Sequence, residues 1–282
     1  MTGGFSVQTY GSTLKRIRKY KSLSQKYVSA GWVNRTSLSK IETNDTIPSM
    51  HTLIGLIGKL DVSLDEFEYI RNNYQLSNKQ QILTNFFSLV SNFDLKAIHR
   101  VINHCDIYLI NNPNDILVKE IHSICIASTY LANNKYYEAQ KIITTVWKRL
   151  EQVEQYTVTE INLVCNILFF FPEEVISKFT PRLLIMINRY LDFDKSLYSL
   201  KISLLINSAL LLRKSDLDTS LAHLKEAIPI SKQINRYDLL AIAQFSLGSL
   251  TSNFTMIEQA RHIFFAIDQK QMFYHLEKEL KA

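Results

Sequence analysis

LSQKYVSAGWVNRTSLSKIE, residues 23–42, is the stretch whose reading decides the fold of this chain. Ser24 is a good helix N-cap, because its hydroxyl accepts a bond from one of the amides that a helix start leaves unpaired. A short helix then runs to about Ala30, Gly31 supplies a turn, and Asn34 caps a second helix ending near Thr43. In that second helix Leu38 and Ile41 face inward, whereas Arg35, Thr36 and Lys40 leave its start and one exposed face. Helix, short glycine turn, helix is the helix-turn-helix pattern.

The pattern extends both ways. Leu14 and Ile17 before it, and Leu53, Leu56, Ile57, Leu60, Val62, Leu64, Phe67 and Ile70 after it, recur at helical spacing. They predict a first helix to about Lys21, a fourth after Pro48 and Ser49, and a fifth opening on Ser63-Leu64-Asp65-Glu66, a capping box. Residues 1–40 hold Lys15, Arg16, Arg18, Lys19, Lys21, Lys26, Arg35 and Lys40 and no acidic residue, while the rest of the chain nearly balances. A one-sign block is either a disordered tail or a polyanion-binding surface, and helical periodicity favours the surface.

The partner expected from this is double-stranded DNA, with the second helix of the motif in the major groove. Arg35, Thr36 and Lys40 are the candidate base readers, and Arg35 has the fork geometry for guanine. Ser24, Gln25, Lys26, Ser37 and Asn44 are short polar or basic groups suited to phosphate oxygens, which fix register without reading sequence.

Leu23-Ser24-Gln25-Lys26, Gly31 and Asn34 to Glu42 resemble the repressor-type, Xre-like helix-turn-helix. The ending Lys59-Leu60-Asp61-Val62-Ser63-Leu64-Asp65-Glu66-Phe67 narrows the resemblance to the Rgg/MutR/GadR regulators, a class that senses peptides. It implies a lambda-repressor-like domain of five helices over 1–71 and a structural pair of Arg18 with Glu42. The chain departs from the family pattern at Tyr27, at Trp32, where an aliphatic residue is usual, and at Thr43-Asn44, which replaces a residue-glycine pair. The module has no cysteine, so the intersubunit disulfide of some members is not carried over.

Beyond residue 71 the composition is telling. Only Gly248 of the 7 glycines lies after residue 58, which leaves no glycine-rich loop there for a phosphate. With 7 Gly and 5 Pro in 282 residues, tight turns must be few, which argues against a turn-rich all-β fold. The longest uncharged run, Leu239 to Ile257, is too polar to span a membrane, and the N-terminus lacks an export signal, so a cytoplasmic location is expected. Cys105, Cys125 and Cys165 form no CxxC pair and are expected as buried thiols.

Residues 72–79, NNYQLSNK, read as a linker, and residues 80–282 as eight to ten helices. Breaks are expected near Asn92-Phe93, Asn111 to Asn114, Asn133-Asn134, Phe171-Pro172, Thr180-Pro181, Lys214 to Asp216 and Asn235-Arg236. Tyr136-Tyr137-Glu138-Ala139, Leu217-Asp218-Thr219-Ser220 and Ile257-Glu258-Gln259-Ala260 each open the second helix of an antiparallel pair. Together they resemble degenerate tetratricopeptide-like repeats. The fold class is therefore all-α, a helix-turn-helix domain followed by a right-handed superhelix of helix pairs that also carries the dimer contacts.

Stacked helix pairs line a groove suited to an extended peptide, whose backbone Asn side chains satisfy because an amide both donates and accepts. Asn162, Asn166, Asn188, Ser203, Asn207 and Gln244 are the candidates, with Phe169, Tyr198, Tyr237 and Phe245 as flanking pockets. His99, His104 and His122 near Cys105 and Cys125 read as structural, because His99 and His104 are five apart and face different ways. No nucleophile, base and oxyanion donor converge, so no enzyme, metal or cofactor is expected.

The Rgg resemblance implies a homodimeric regulator on a palindromic operator, controlled by a short peptide. The alternatives are a regulator whose repeats bind a protein or answer stress without a peptide, and an adaptor with a vestigial helix-turn-helix.

Overall fold

The computed structural model describes residues 7–89 and 95–281, and all its regular structure is helical. The break expected near Asn92-Phe93 lies outside the described residues. Two compact units divide after Asn85.

The first unit holds α1 (Tyr10–Tyr20), α2 (Gln25–Ser29), α3 (Arg35–Glu42), α4 (Met50–Lys59) and α5 (Leu64–Arg71). Each starts on a short polar side chain that accepts an amide bond: Thr9, Ser24, Asn34, Ser49 and Ser63. At Ser63 the hydroxyl takes the Glu66 amide at 3.1 Å, the forward half of the expected capping box. Leu14, Ile17, Val28, Leu38, Ile41, Leu53, Leu56, Ile57, Leu60, Phe67 and Ile70 form one core. Gly11 lets α1 approach α3: a Cβ there would stand 1.8 Å from the Ile41 carbonyl oxygen. The ends of the unit are tied, Gln8 N–H donating to Arg71 O at 3.1 Å and the Gln8 amide to Asn73 Oδ1 at 3.1 Å.

Asn73 and Tyr74 follow α5 in left-handed backbone, φ 54° and 60°. α6 (Asn78–Phe87) starts inside the stretch read as linker and crosses the boundary between the units.

The second unit continues with α7 (Leu95–Asn111), α8 (Ile116–Ala132), α9 (Tyr136–Glu151), α10 (Val158–Ile167), a 3-10 turn (Leu168–Phe170) and α11 (Glu173–Tyr190). It ends with α12 (Leu197–Leu212), α13 (Leu217–Gln233), α14 (Tyr237–Leu250), α15 (Phe254–Ala266) and α16 (Lys270–Lys281). From α6 onward the described residues thus hold eleven α-helices, more than the sequence suggested, because the breaks at 152–157, 191–196, 251–253 and 267–269 carry no glycine or proline.

From α7 onward consecutive helices pack on one another, and α8, α10, α12 and α14 also touch one another across the pairs. That row is the closer-packed, inner one of the stack. Ala139, Ser220 and Ala260, the fourth residues of the three repeat signatures, are each fully buried where α9, α13 and α15 cross their partners. Small residues there admit the close crossing; Ser220 in addition donates its hydroxyl to Ala209 O at 2.8 Å. The third signature begins one turn into its helix, since α15 starts at Phe254.

The break expected at Thr180-Pro181 does not form: α11 runs through it. Ile176, Thr180, Leu183 and Ile187 make a buried stripe at spacings of four, three and four, and the packing of that stripe outweighs the local cost of proline. Pro181 is exposed, so the carbonyl it leaves unpaired, that of Ser177, faces water, and Thr180 bonds back to Ile176 O at 2.8 Å. Pro229 sits on the exposed side of α13 in the same way.

Candidate nucleic-acid interface and ligand face

Glu42 closes α3 and is buried among apolar groups, where a lone carboxylate would be costly. Arg18 of α1 donates to both its oxygens, Nε to Oε1 at 2.5 Å and Nη2 to Oε2 at 2.7 Å, and also to Leu23 O at 2.9 Å. Gln25 of α2 donates to Glu42 Oε2 at 3.0 Å. Burial alone would raise the Glu42 pKa, but the bonds from Arg18 and Gln25 outweigh it and hold the carboxyl below its ordinary value. The Glu42 carboxylate likewise raises the Arg18 pKa. Three helices of the motif are thus pinned to one carboxylate, which fixes how α3 is presented. Gln25, expected only at phosphate, is a member of this brace; its spacing from Glu42 in sequence gave no sign of it.

On that fixed helix Arg35, Thr36 and Lys40 are exposed, and their side chains make no hydrogen bond or ion pair among the described residues. Lys26 at the start of α2 is exposed and equally unpaired. Ser24 and Ser37 have local duties: Ser24 Oγ accepts from Tyr27 N at 3.1 Å, and Ser37 N donates to Asn34 Oδ1 at 2.7 Å. Asn44 takes left-handed backbone, φ 66°, just past α3, and its side-chain oxygen accepts from Thr9. Asparagine tolerates that conformation, which explains how it stands where the family pattern has glycine.

Trp32, the other departure, packs against α4, its ring 5.2 Å from His51 and directly over Gly55. Tyr27 lies under Lys59 Nζ, 5.8 Å from the ring centroid.

In the second unit, Asn162 and Asn166 lie on one face of α10, but each amide donates to its own helix, to Val158 O at 2.8 Å and Asn162 O at 2.9 Å. Asn207 of α12 is exposed and borders a crevice of about 10 Å³ with Cys165, Phe169 and Leu204. Asn188 on α11 is exposed and Ser203 on α12 half-buried. Gln244 of α14 is buried, and its side-chain oxygen has no hydrogen-bond partner among the described residues. Phe245 belongs to the apolar cluster with Phe264 and Phe273, in core rather than in a pocket. The structure therefore gathers Asn162, Asn166, Ser203, Asn207 and Gln244 on the inner row, and leaves Asn188 on an outer helix.

Burial pushes the Cys105 and Cys165 thiols up to about 12 and raises Cys125 as well, and all three are free. Among the described residues no group of three or more His, Cys, Asp or Glu is placed to hold a metal, and no helix is long and apolar enough to cross a membrane.

Residues 14–67 match the family model described as Helix-turn-helix. Over nearly its whole length the chain is also similar to solved structures. A Listeria monocytogenes EGD-e protein described as a transcriptional regulator is 19% identical, with TM-score 0.70, 98% of this chain and 95% of that one being covered. The Streptococcus dysgalactiae SHP pheromone receptor Rgg2 is 16% identical, with TM-score 0.65 and coverage of 97% and 99%. Bacillus thuringiensis PlcR, in complex with the peptide PapR7 and DNA, is 17% identical, with TM-score 0.64 and coverage of 95% and 99%. The chain carries a helix-turn-helix domain and shares the fold of these solved proteins.

Proposed function

We propose that this chain is a sequence-specific DNA-binding transcriptional regulator that works as a homodimer and is controlled by a short peptide bound on the inner row of its repeat unit. The observation that carries the DNA half is the pairing of three exposed, unpartnered side chains, Arg35, Thr36 and Lys40, with a helix held rigid by Arg18, Glu42 and Gln25. Preorganised donors at a helix start can pair with base edges without first breaking other bonds. Lys26, Ser24, Ser37 and Asn44 ring that helix and suit phosphate contacts. Two such modules are needed for a specific site, which calls for a palindromic operator.

For the peptide half, support comes from the shared fold with PlcR, whose structure holds a peptide and DNA, and from the amide-bearing inner row. Asn207, exposed on α12 with no side-chain hydrogen bond among the described residues, is the leading contact. Asn162 and Asn166 would first exchange an intrahelical bond for one to the ligand.

The test is selection of duplexes from a random pool with the full chain, alongside Arg35→Ala, followed by a peptide-library screen on the selected duplex with Asn207→Ala as control. An enriched inverted repeat that relaxes with Arg35→Ala, and a peptide whose effect needs Asn207, are the results expected. No enrichment with any peptide present would overturn the proposal.

A further inference from the structure

We infer that Tyr27 of α2 and Lys59 of α4 together hold a phosphate of the DNA strand, next to the phosphate expected at Lys26. Neither residue is among the groups assigned to DNA above, and they stand far apart in the sequence. The fold brings them together, because α2 packs on α4. Val28 points into the core, so its neighbour Tyr27 projects from the outer side of α2 and is 52% exposed. Lys59, half-buried at the end of α4, carries its Nζ to 5.8 Å from the centre of the Tyr27 ring. The ring quadrupole holds a cation in that position, so the ammonium is kept beside the phenol instead of ranging over the surface.

The chemistry of the pair points to an anion with several acceptor oxygens. A hydroxyl and an ammonium converge, and among the described residues neither makes a hydrogen bond or an ion pair with a protein acceptor. The surroundings share the same sign: residues 1–41 contain no acidic residue. The acid nearest in sequence to Lys59 is Asp61, whose carboxylate pairs with no lysine among the described residues. Lys21 instead donates to the Asp61 carbonyl oxygen at 3.1 Å, which brings another lysine to the same turn. An acidic protein segment is the rival occupant. Continuity decides for DNA: Lys26, exposed and unpaired, is the residue before Tyr27 and leaves the same helix about 100° away, so the two serve neighbouring phosphates of one strand.

The inference rests on the reading of the chain as a DNA-binding regulator, and the test separates the two. Binding of the full-length native chain, Lys59→Ala, Lys59→Arg, Tyr27→Phe and Lys26→Ala to a mixed-sequence duplex is titrated at several salt concentrations. Lys59→Ala should bind about three- to tenfold more weakly at low salt, with the slope of log K against log salt lowered by about 1, and Lys59→Arg should keep both. Tyr27→Phe retains the ring and loses an uncharged donor, so it should weaken binding about two- to fivefold at an unchanged slope. On the selected duplex, phosphate ethylation should interfere at one position fewer per half-site for Lys59→Ala, and that position should differ from the one lost with Lys26→Ala.

Thermal melts of the free variants check that each is folded. If Lys26→Ala alters the slope while Lys59→Ala and Tyr27→Phe behave as the native chain, the inference is overturned and the regulator reading stands; the pair is then left open on bound DNA for an acidic partner. If the native chain binds no duplex even at low salt, both fall.

Discussion

The indole of Trp32 lies flat against the backbone of Gly55, so closely that a Cβ on residue 55 would come within 2.1 Å of the ring. A helix-interior glycine ordinarily costs about 1 kcal/mol relative to alanine, so a bare Gly55→Ala change would be expected to stabilise α4. Here the ring must move, and overpacking of this kind costs about 1–3 kcal/mol. Gly55→Ala is therefore expected to destabilise the native chain. In a Trp32→Leu background the same change should become neutral or stabilising. Urea melts of the four chains of that cycle measure the coupling, and equal effects in both backgrounds would dismiss the contact.

Glu42 is held by Arg18 and Gln25, and its carboxyl lies below the ordinary 4.5. A depressed folded pKa means that the unfolded chain takes up the proton first as pH falls. The stability this contributes is complete above about 4.5 and is lost as pH drops through the lower folded value. Glu42→Gln leaves Arg18 facing a neutral amide in a site where the carboxylate is 1% exposed, and loss of one partner of a buried pair costs about 3–5 kcal/mol. The gap between native and Glu42→Gln melting temperatures should be widest near neutral pH and narrow in acid. A gap independent of pH would show that the pair is not the cause.

Pro181 stands in the middle of α11 with its missing hydrogen bond turned to water. Replacing it by alanine restores that bond without touching the buried stripe, so Pro181→Ala should raise the stability of the repeat unit by about 1–3 kcal/mol. A drop in stability instead would mean that the neighbouring helices are fitted to a bend at this point. Circular dichroism during thermal unfolding is sufficient to tell.

The contrast between what was legible and what was not follows from the range of the forces. The caps at Ser24, Asn34, Ser49 and Ser63 act within three residues, so the starts of α2 to α5 are readable from sequence. Arg18 with Glu42 spans 24 residues and was supplied by family resemblance rather than by spacing. Gln25 in the same brace, and Trp32 over Gly55, depend on tertiary placement and leave no periodic trace. The Thr180-Pro181 break was misread because a local rule about proline was overruled by a four-residue buried stripe. In the repeat unit, polarity alone put six residues forward; the inner row is set by which helices cross, and this separates Asn207 from Asn188.

Lys26 and Arg35 are both exposed cations on the helix-turn-helix, yet they are expected to fail in different ways when removed. Lys26 at the start of α2 suits a phosphate, a contact that every sequence offers. Lys26→Ala should weaken binding to all duplexes alike and lower the slope of log K against log salt by about 1. Arg35 at the first turn of α3 suits guanine, so Arg35→Ala should relax one position of the selected site and cost about 1–3 kcal/mol there. Binding to unrelated duplexes would then fall far less. Titrations of native, Lys26→Ala and Arg35→Ala chains on selected and scrambled duplexes at three salt concentrations separate the two roles. If both variants lose affinity equally on selected and scrambled DNA, Arg35 is a second phosphate contact and the base reading passes to Thr36 and Lys40.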